Sequence, residues 1–152
     1  MKLGVISDTH AMVLEEIPAS ILAALAEVDI IVHAGDFTNK DVLEGLRNLG
    51  KVKAVYGNMD SAELKQMLPS RETFEINGKR IGLTHGAGGG SGDIARRVRS
   101  MFDDIDIVIY GHSHEPDNQQ FQGSLLFNPG PARKSYGLIK IGEELEAKIV
   151  PV

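Results

Sequence analysis

Leu3-Gly4-Val5-Ile6-Ser7-Asp8-Thr9-His10 is a short apolar run closed by polar side chains, the pattern of a buried strand that delivers an aspartate and a histidine at its carboxyl end. The pattern recurs along the chain. Ile30 to Val32 leads through His33 and Ala34 into Gly35-Asp36, Val52 to Tyr56 into Gly57-Asn58, Arg80 to Thr84 into His85-Gly86, and Ile105 to Tyr110 into Gly111-His112-Ser113-His114. Residues at the carboxyl ends of strands in an α/β sheet converge on one crevice. Asp, His and Asn gathered in one crevice form a ligand set for metal ions.

Between these strands the period changes. Ile17, Ile21, Leu22, Leu25 and Val28 predict a helix over 17–28, with Pro18 near its start where proline is tolerated. Val42, Leu43, Leu46 and Leu49 predict a second helix over 41–49, stopped by Gly50. The first third therefore reads β-α-β-α-β, which implies parallel pairing. The second half is richer in strands. Thr73–Ile76 and Arg80–Thr84 flank Asn77-Gly78, a two-residue hairpin signal. Ser91, with Asp93 close behind, can cap a third helix running to about Met101. Further strands are expected over 105–110, 125–127, 136–141 and 145–150, the last two joined by Gly142-Glu143-Glu144. Two stacked sheets flanked by helices fit this count better than one open sheet, within a single domain over residues 1–152.

Composition narrows the chemistry. A chain of 152 residues can bury roughly 70% of its unfolded surface without covalent staples. The absence of cysteine removes disulfides, thiolate nucleophiles, iron–sulfur clusters and thiolate zinc sites, so nitrogen and oxygen must hold any metal. The net charge of −5 and the lack of a long basic run argue against nucleic acid as a partner. Met1 to Asp8 has no signal-peptide layout, and no apolar stretch approaches the ~20 residues of a membrane span, so a soluble, cytoplasmic protein without membrane contact is expected.

The polar residues make sense together. Asp8 and His10 lie two apart, so an extended segment or a turn past the strand end would bring both to one ion. Asp36 offers two carboxylate oxygens able to bridge cations, Asn58 an amide oxygen, and His85, His112 and His114 imidazoles. Such a mixed set suits Mn, Fe, Ni, Co or Zn better than Ca. Gathering seven polar groups at strand ends with no metal to satisfy them would be costly.

Asp8-Thr9-His10, Gly35-Asp36, Gly57-Asn58, His85-Gly86 and Gly111-His112-Ser113-His114, in this order, make the chain resemble the calcineurin-like metallophosphoesterases. Its short length and Phe127-Asn128-Pro129-Gly130 are similar to the small phosphodiesterase branch of that superfamily. The resemblance implies an α/β/β/α sandwich of four layers, with two stacked mixed sheets. It implies two divalent transition metal ions, manganese first and Ni, Fe, Co or Zn as alternatives. Asp8, His10, Asp36 and His114 would hold one ion and Asp36, Asn58, His85 and His112 the other, with Asp36 shared. The implied activity is hydrolysis of a small phosphodiester by metal-activated water. Asn58 would orient the phosphoryl group, Asp60 would position Asn58 or a water, and His112 would count with them among the catalytic residues.

Two departures bear on substrate. Many members of the family carry histidine after Gly-Asn as the acid for the leaving group; here Met59 stands there and cannot donate a proton. The small phosphodiesterase branch also lacks that histidine, so the loss counts against monoester hydrolysis and not against activity altogether. Pro131 replaces a serine common after Asn-Pro-Gly, and Arg133 nearby could contact a phosphate. Outside the motifs, His33 reads as a packed histidine or one that orients a ligand, Gly86 to Gly90 as a mobile rim loop, and Arg96-Arg97-Val98-Arg99 as a solvated helix face. Two other functions remain open. A retromer subunit of eukaryotes shares the family fold and serves as a protein-binding scaffold with a degraded metal site, whereas no ligand position is lost here. A nuclease acting on short nucleic acid would need a basic patch that the sequence does not show. An exposed apolar edge could form a homodimer.

Overall fold

Period-two alternation along the strands sorts the side chains into three cores. A computed structural model describes residues 1–88 and 93–152. Its first sheet has the order β10-β9-β1-β2-β3 and its second β4-β5-β6-β8-β7. The first sheet comprises β1 (Lys2–Ile6), β2 (Ile30–His33), β3 (Val52–Ala54), β9 (Ser135–Ile141) and β10 (Leu145–Pro151). The second comprises β4 (Arg71–Ile76), β5 (Lys79–Thr84), β6 (Ile107–Ile109), β7 (Asp117–Phe121) and β8 (Ser124–Asn128). β1, β2 and β3 pair in parallel, with Leu3 opposite Ile30 and Ile31 opposite Val52, as the β-α-β-α-β reading implies. β5, β6 and β8 are likewise parallel.

Leu3, Val5, Ile30, Val32 and Ile139 from the first sheet meet Ile81, Leu83, Ile107, Ile109 and Phe127 from the second in a buried central core. The alternate residues Ile6 and Ile31 face outward onto α1 (Ala19–Leu25), α2 (Lys40–Leu49) and α3 (Ala62–Met67), through Ile21, Leu25, Leu43, Leu46 and Leu64. Val108, Tyr110 and Leu126 on the far face of the second sheet pack on Ala95 and Val98 of α4 (Ile94–Ser100). The layers are therefore α/β/β/α, and each layer buries one apolar face against the next. Among the described residues no helix is long and apolar enough to cross a membrane.

Local chemistry sets the element ends. Asn39 caps α2 by accepting from the Asp41 N–H at 3.0 Å, and Gly50 closes it. Asn77 (φ 49°) and Gly78 (φ 82°) both hold positive φ in the β4–β5 turn, the requirement of a tight hairpin. The first helix is shorter than its apolar spacing predicts, because Pro18 occupies its N-cap and the chain turns after Ala26 toward β2. The strands predicted over 52–56 and 105–110 contract to Val52–Ala54 and Ile107–Ile109. Ser91 lies outside the described residues; Asp93 is the cap of α4, accepting from the Ala95 N–H. Two elements have no apolar signal. α3 buries only Leu64, and β7 is an edge strand of sequence Asp-Asn-Gln-Gln-Phe with its middle exposed.

The two sheets approach closely at Gly137 of β9, where a Cβ would run into the Phe127 ring. Gly137→Ala should cost about 1–3 kcal/mol by overpacking, whereas Gly142→Ala, with nothing within 4 Å of the added methyl, should stay within about 0.5 kcal/mol of wild type. Urea unfolding midpoints compare the two; equal midpoints would contradict this packing.

Candidate metal centre

The carboxyl ends of five parallel strands meet at one end of the two sheets. Asp8 (φ 53°) and His10 (φ 45°) follow β1, Asp36 (φ 64°) follows β2, Asn58 follows β3, His85 follows β5, and His112 (φ 69°) and His114 (φ 61°) follow β6. Nine described non-glycine residues have positive φ, and five of them belong to this set. Each such backbone costs about 1 kcal/mol or more, so the strain is concentrated where the polar side chains converge.

The two aspartates are divided in the same way. Asp8 Oδ2 accepts from the Ser7 hydroxyl at 2.9 Å and the His112 N–H at 3.2 Å, and its Oδ1 is buried with no hydrogen-bond partner among the described residues. Asp36 Oδ1 accepts from the Met59 N–H at 2.8 Å, and its Oδ2 lies 3.2 Å from His85 Nε2 and 3.8 Å from His10 Nε2. Each carboxylate thus spends one oxygen on the fold and aims the other at the imidazoles. Asp8 Oδ1 lies 3.6 Å from His114 Nε2, 3.8 Å from His85 Nε2 and 4.0 Å from His10 Nε2. Asp8, His10 and His114 each place a ligating atom within 4.8 Å of the others, and so do Asp8, Asp36 and His85.

His85 shows what the centre requires. Its Nδ1–H donates to the Ala34 carbonyl at 2.8 Å, which turns the Nε2 lone pair toward Asn58 Oδ1 at 3.0 Å and Asp36 Oδ2 at 3.2 Å. A lone pair among oxygens is repulsive unless a proton or a cation sits between them. Burial alone would lower the His85 pKa, but the hydrogen bond and charge of Asp36, with the charge of Asp8, outweigh it and raise it. His85 likewise outweighs the burial of Asp36 and lowers that carboxyl's pKa. The orphaned Asp8 Oδ1 and His10 Nε2, both buried, point the same way. The donor set and its unmet acceptors fit divalent cations.

A layer of supporting residues holds the ligand loops. Asp60 Oδ2 accepts from the N–H groups of Asp36 (3.0 Å) and Gly57 (2.8 Å), and Oδ1 from that of Thr38 (2.7 Å). One buried carboxylate therefore ties the loop after β2 to the loop after β3, and its oxygens face backbone rather than the imidazoles. His33 is stacked on Phe37 with ring centroids 3.6 Å apart. It accepts from the Gly35 N–H on Nδ1, which puts the ring proton on Nε2, facing Thr9 Oγ1 at 3.1 Å. Burial, with the charge of His85, pushes its pKa down to about 3. Asn128 is fully buried; its amide donates to the Gly111 carbonyl and the Ser113 hydroxyl, and its Oδ1 accepts from the Gly130 N–H. The loop bearing His112 and His114 is clamped by that one side chain. The sequence hint for this clamp is local: Asn before Pro-Gly favours a side-chain-to-backbone turn.

The remaining expected positions fall around the centre. The His112 ring stands edge-on to His85 at 5.2 Å, outside the two tight groups, and burial with the His85 charge lowers its pKa. Met59 is 59% exposed, so no buried acid replaces the absent histidine at this position. Arg133 is exposed. The arginines of α4 are not a plain solvated face: Arg97 donates to the Gly86 carbonyl at 2.6 Å, and Arg99 to the carbonyls of Phe102 and Gln122. Of the glycine-rich loop, residues 89 and 90 lie outside the described residues. A surface concavity of about 500 Å3 around Met1, Lys2 and Glu144 shares no described residue with the centre.

Comparison with known proteins bears on this arrangement. The profile of the calcineurin-like phosphoesterase superfamily domain matches residues 1–141. A probable metallophosphoesterase of Methanocaldococcus jannaschii is 37% identical over 161 residues, covering 100% of this chain and 82% of that protein. A phosphodiesterase of the same organism is 30% identical over 142 residues, covering 86% of this chain and 83% of its own. The solved structure of an archaeal phosphodiesterase superposes with a TM-score of 0.80 at 24% identity, covering 100% of both chains. Vps29 from Entamoeba histolytica, complexed with zinc, superposes at 0.77 and 24% identity over 99% of both, a likeness of fold.

Two measurements test the supporting layer. Asp60→Ala leaves three N–H groups without their acceptor and should cost about 3 kcal/mol of stability and roughly tenfold to a hundredfold in metal affinity; a drop in neither would remove Asp60 from the centre's support. His33 takes up a proton at an ordinary pKa of 6.5 when unfolded and only near 3 when folded. Its contribution to stability is therefore full above pH 6.5 and is lost as pH falls from 6.5 toward 3. The stability of wild type relative to His33→Gln should fall over that window in chemical unfolding, and a difference independent of pH would contradict a neutral buried His33.

Proposed function

The chain belongs to the calcineurin-like phosphoesterase superfamily, and from that premise we propose that it is a phosphodiesterase acting on a small phosphodiester at a dinuclear metal site. The observation that carries the reading is the centre itself: two buried carboxylates each turn one oxygen toward imidazole nitrogens, and among the described residues Asp8 Oδ1 and His10 Nε2 have no hydrogen-bond partner. The archaeal relative named a phosphodiesterase supports the same reaction class.

In this reading Asp8, His10, Asp36 and His114 hold one divalent cation and Asp36, Asn58, His85 and His112 the other, with manganese the first choice. Such cations supply Lewis-acid stabilisation of phosphoryl oxygens and acidify water for attack near neutral pH. The protein's own part is orientation. The Ala34 carbonyl fixes the His85 tautomer and ring plane. Ser7, His112 N–H and Met59 N–H fix one oxygen of each aspartate, so the other does not need to reorganise. Asn58, exposed at the rim and in contact with His85, is placed to orient the phosphoryl group. Asp60 acts as a positioning residue through the backbone of Asp36, Thr38 and Gly57, the last next to Asn58. With Met59 at the place of the family acid, leaving groups that depart as stable anions are favoured over poor alkoxides.

The Vps29 neighbours support a second reading, a scaffold that binds protein and does no chemistry. Metal-stripped protein, reconstituted with Mn, Ni, Mg or Zn in turn and assayed on bis-p-nitrophenyl phosphate and p-nitrophenyl phosphate, separates the two. The phosphodiesterase reading expects metal-dependent cleavage of the diester with little of the monoester, and a loss of roughly a hundredfold or more in Asp36→Ala and His112→Ala with the fold kept. Full activity in either variant, or no cleavage with any metal, would contradict it.

A further inference from the structure

A cleft of about 420 Å3 opens beside the centre and shares Asn58 and His85 with it. That volume is in the range of small-molecule sites. Tyr56, Lys65, Ser70 and Met101 contribute to its wall. Among the described residues that line it, Lys65 is the one lysine, and no arginine or carboxylate joins it, in a chain whose net charge is −5. Unlike Lys65, Lys40 pairs with Glu63 at 3.1 Å and Lys53 with Glu72 at 3.3 Å. No described carboxylate oxygen lies within 4.0 Å of Lys65 Nζ, which stands over the Tyr56 ring, 6.0 Å from its centroid. Tyr56 is half-buried against the core of the first sheet and its helices, so its ring is held in place. α3 contributes no ligand to the centre; it is capped by Ser61, anchored by Leu64, and presents Lys65 to the cleft.

Asp8 and Asp36 thus lie on the side of the centre, and the cleft next to it carries Lys65 over the ring of Tyr56, with no described carboxylate on it. We propose that this cleft takes one ester arm of the substrate, and that the arm carries a flat ring and a second anionic group, the make-up of a nucleotide. The ring packs on Tyr56 and the second anion meets Lys65, while the diester phosphorus sits at the centre; the proposal rests on the phosphodiesterase reading above.

The test compares bis-p-nitrophenyl phosphate, the dinucleotide ApA, and ApA bearing an added terminal phosphate at its 5′ or its 3′ end, in wild type, Lys65→Ala and Lys65→Glu. Wild type should prefer one phosphorylated dinucleotide over ApA by about fivefold in kcat/KM, the size of one partly exposed charge pair. Lys65→Ala should erase that preference and Lys65→Glu reverse it, with bis-p-nitrophenyl phosphate changed less than twofold in both. Cleavage of bis-p-nitrophenyl phosphate with no preference, or a preference that survives Lys65→Ala, would overturn the proposal and leave the phosphodiesterase reading standing. No cleavage of any ester would fail that reading instead, and binding then decides the cleft. In the Mg-loaded protein AMP should shift the amides of Tyr56, Lys65 and Ser70 at lower concentration than adenosine does, a difference lost in Lys65→Ala; equal responses to the two would overturn the anion site.

Discussion

Two carboxylates of like charge, Asp8 and Asp36, are buried within reach of the same imidazole, His85, and the rest of the molecule is arranged to keep them there. Left to themselves such groups would repel one another and draw protons. The fold answers with donors on one oxygen of each aspartate and histidines facing the other. The remaining imbalance, acceptors with no donor among the described residues, is what divalent cations would relieve. Stability and function therefore conflict at this point, and the strained backbones at Asp8, His10, Asp36, His112 and His114 record the cost.

The strain can persist because the ligand loops are cross-tied instead of resting on their own turns. Asp60 joins two of them through three N–H groups, His33 and Thr9 brace the loop after β2, and Asn128 clamps the loop after β6. These residues come from strand ends of both sheets. The central core fixes how the sheets face each other, so the packing of Phe127 on Gly137 and the placement of the ligands are parts of one arrangement.

Much of this was legible in the sequence, because the strands that carry ligands are fully buried and read as apolar runs with a polar stop. The parallel run β1-β2-β3 and the Asn77-Gly78 hairpin followed from period and turn chemistry, and the four layers from the family resemblance. What was not legible lacked an apolar pattern: α3 rests on Leu64 alone, and β7 is a polar edge strand held by backbone pairing to β8. The helix over 17–28 was overextended because Ile17 and Val28 do pack against the same core, but from the turns on either side of α1. Motif reading brought the candidate ligands to one place. It could not reveal that Asp8 Oδ1 faces three histidines, that Asp60 spends both oxygens on backbone, or that α4 turns Arg97 and Arg99 onto loop carbonyls, since these depend on side-chain direction across elements distant in sequence.

The claim on which the account turns is that the unmet acceptors at the strand ends exist to hold two cations. Anomalous diffraction from crystals of the protein loaded with manganese tests it directly. Two peaks are expected, one among Asp8, His10 and His114 and one among Asp36, His85 and Asn58, with the supporting contacts of Asp60 and Asn128 unchanged. A single peak away from these residues, or none at saturating manganese, would contradict it.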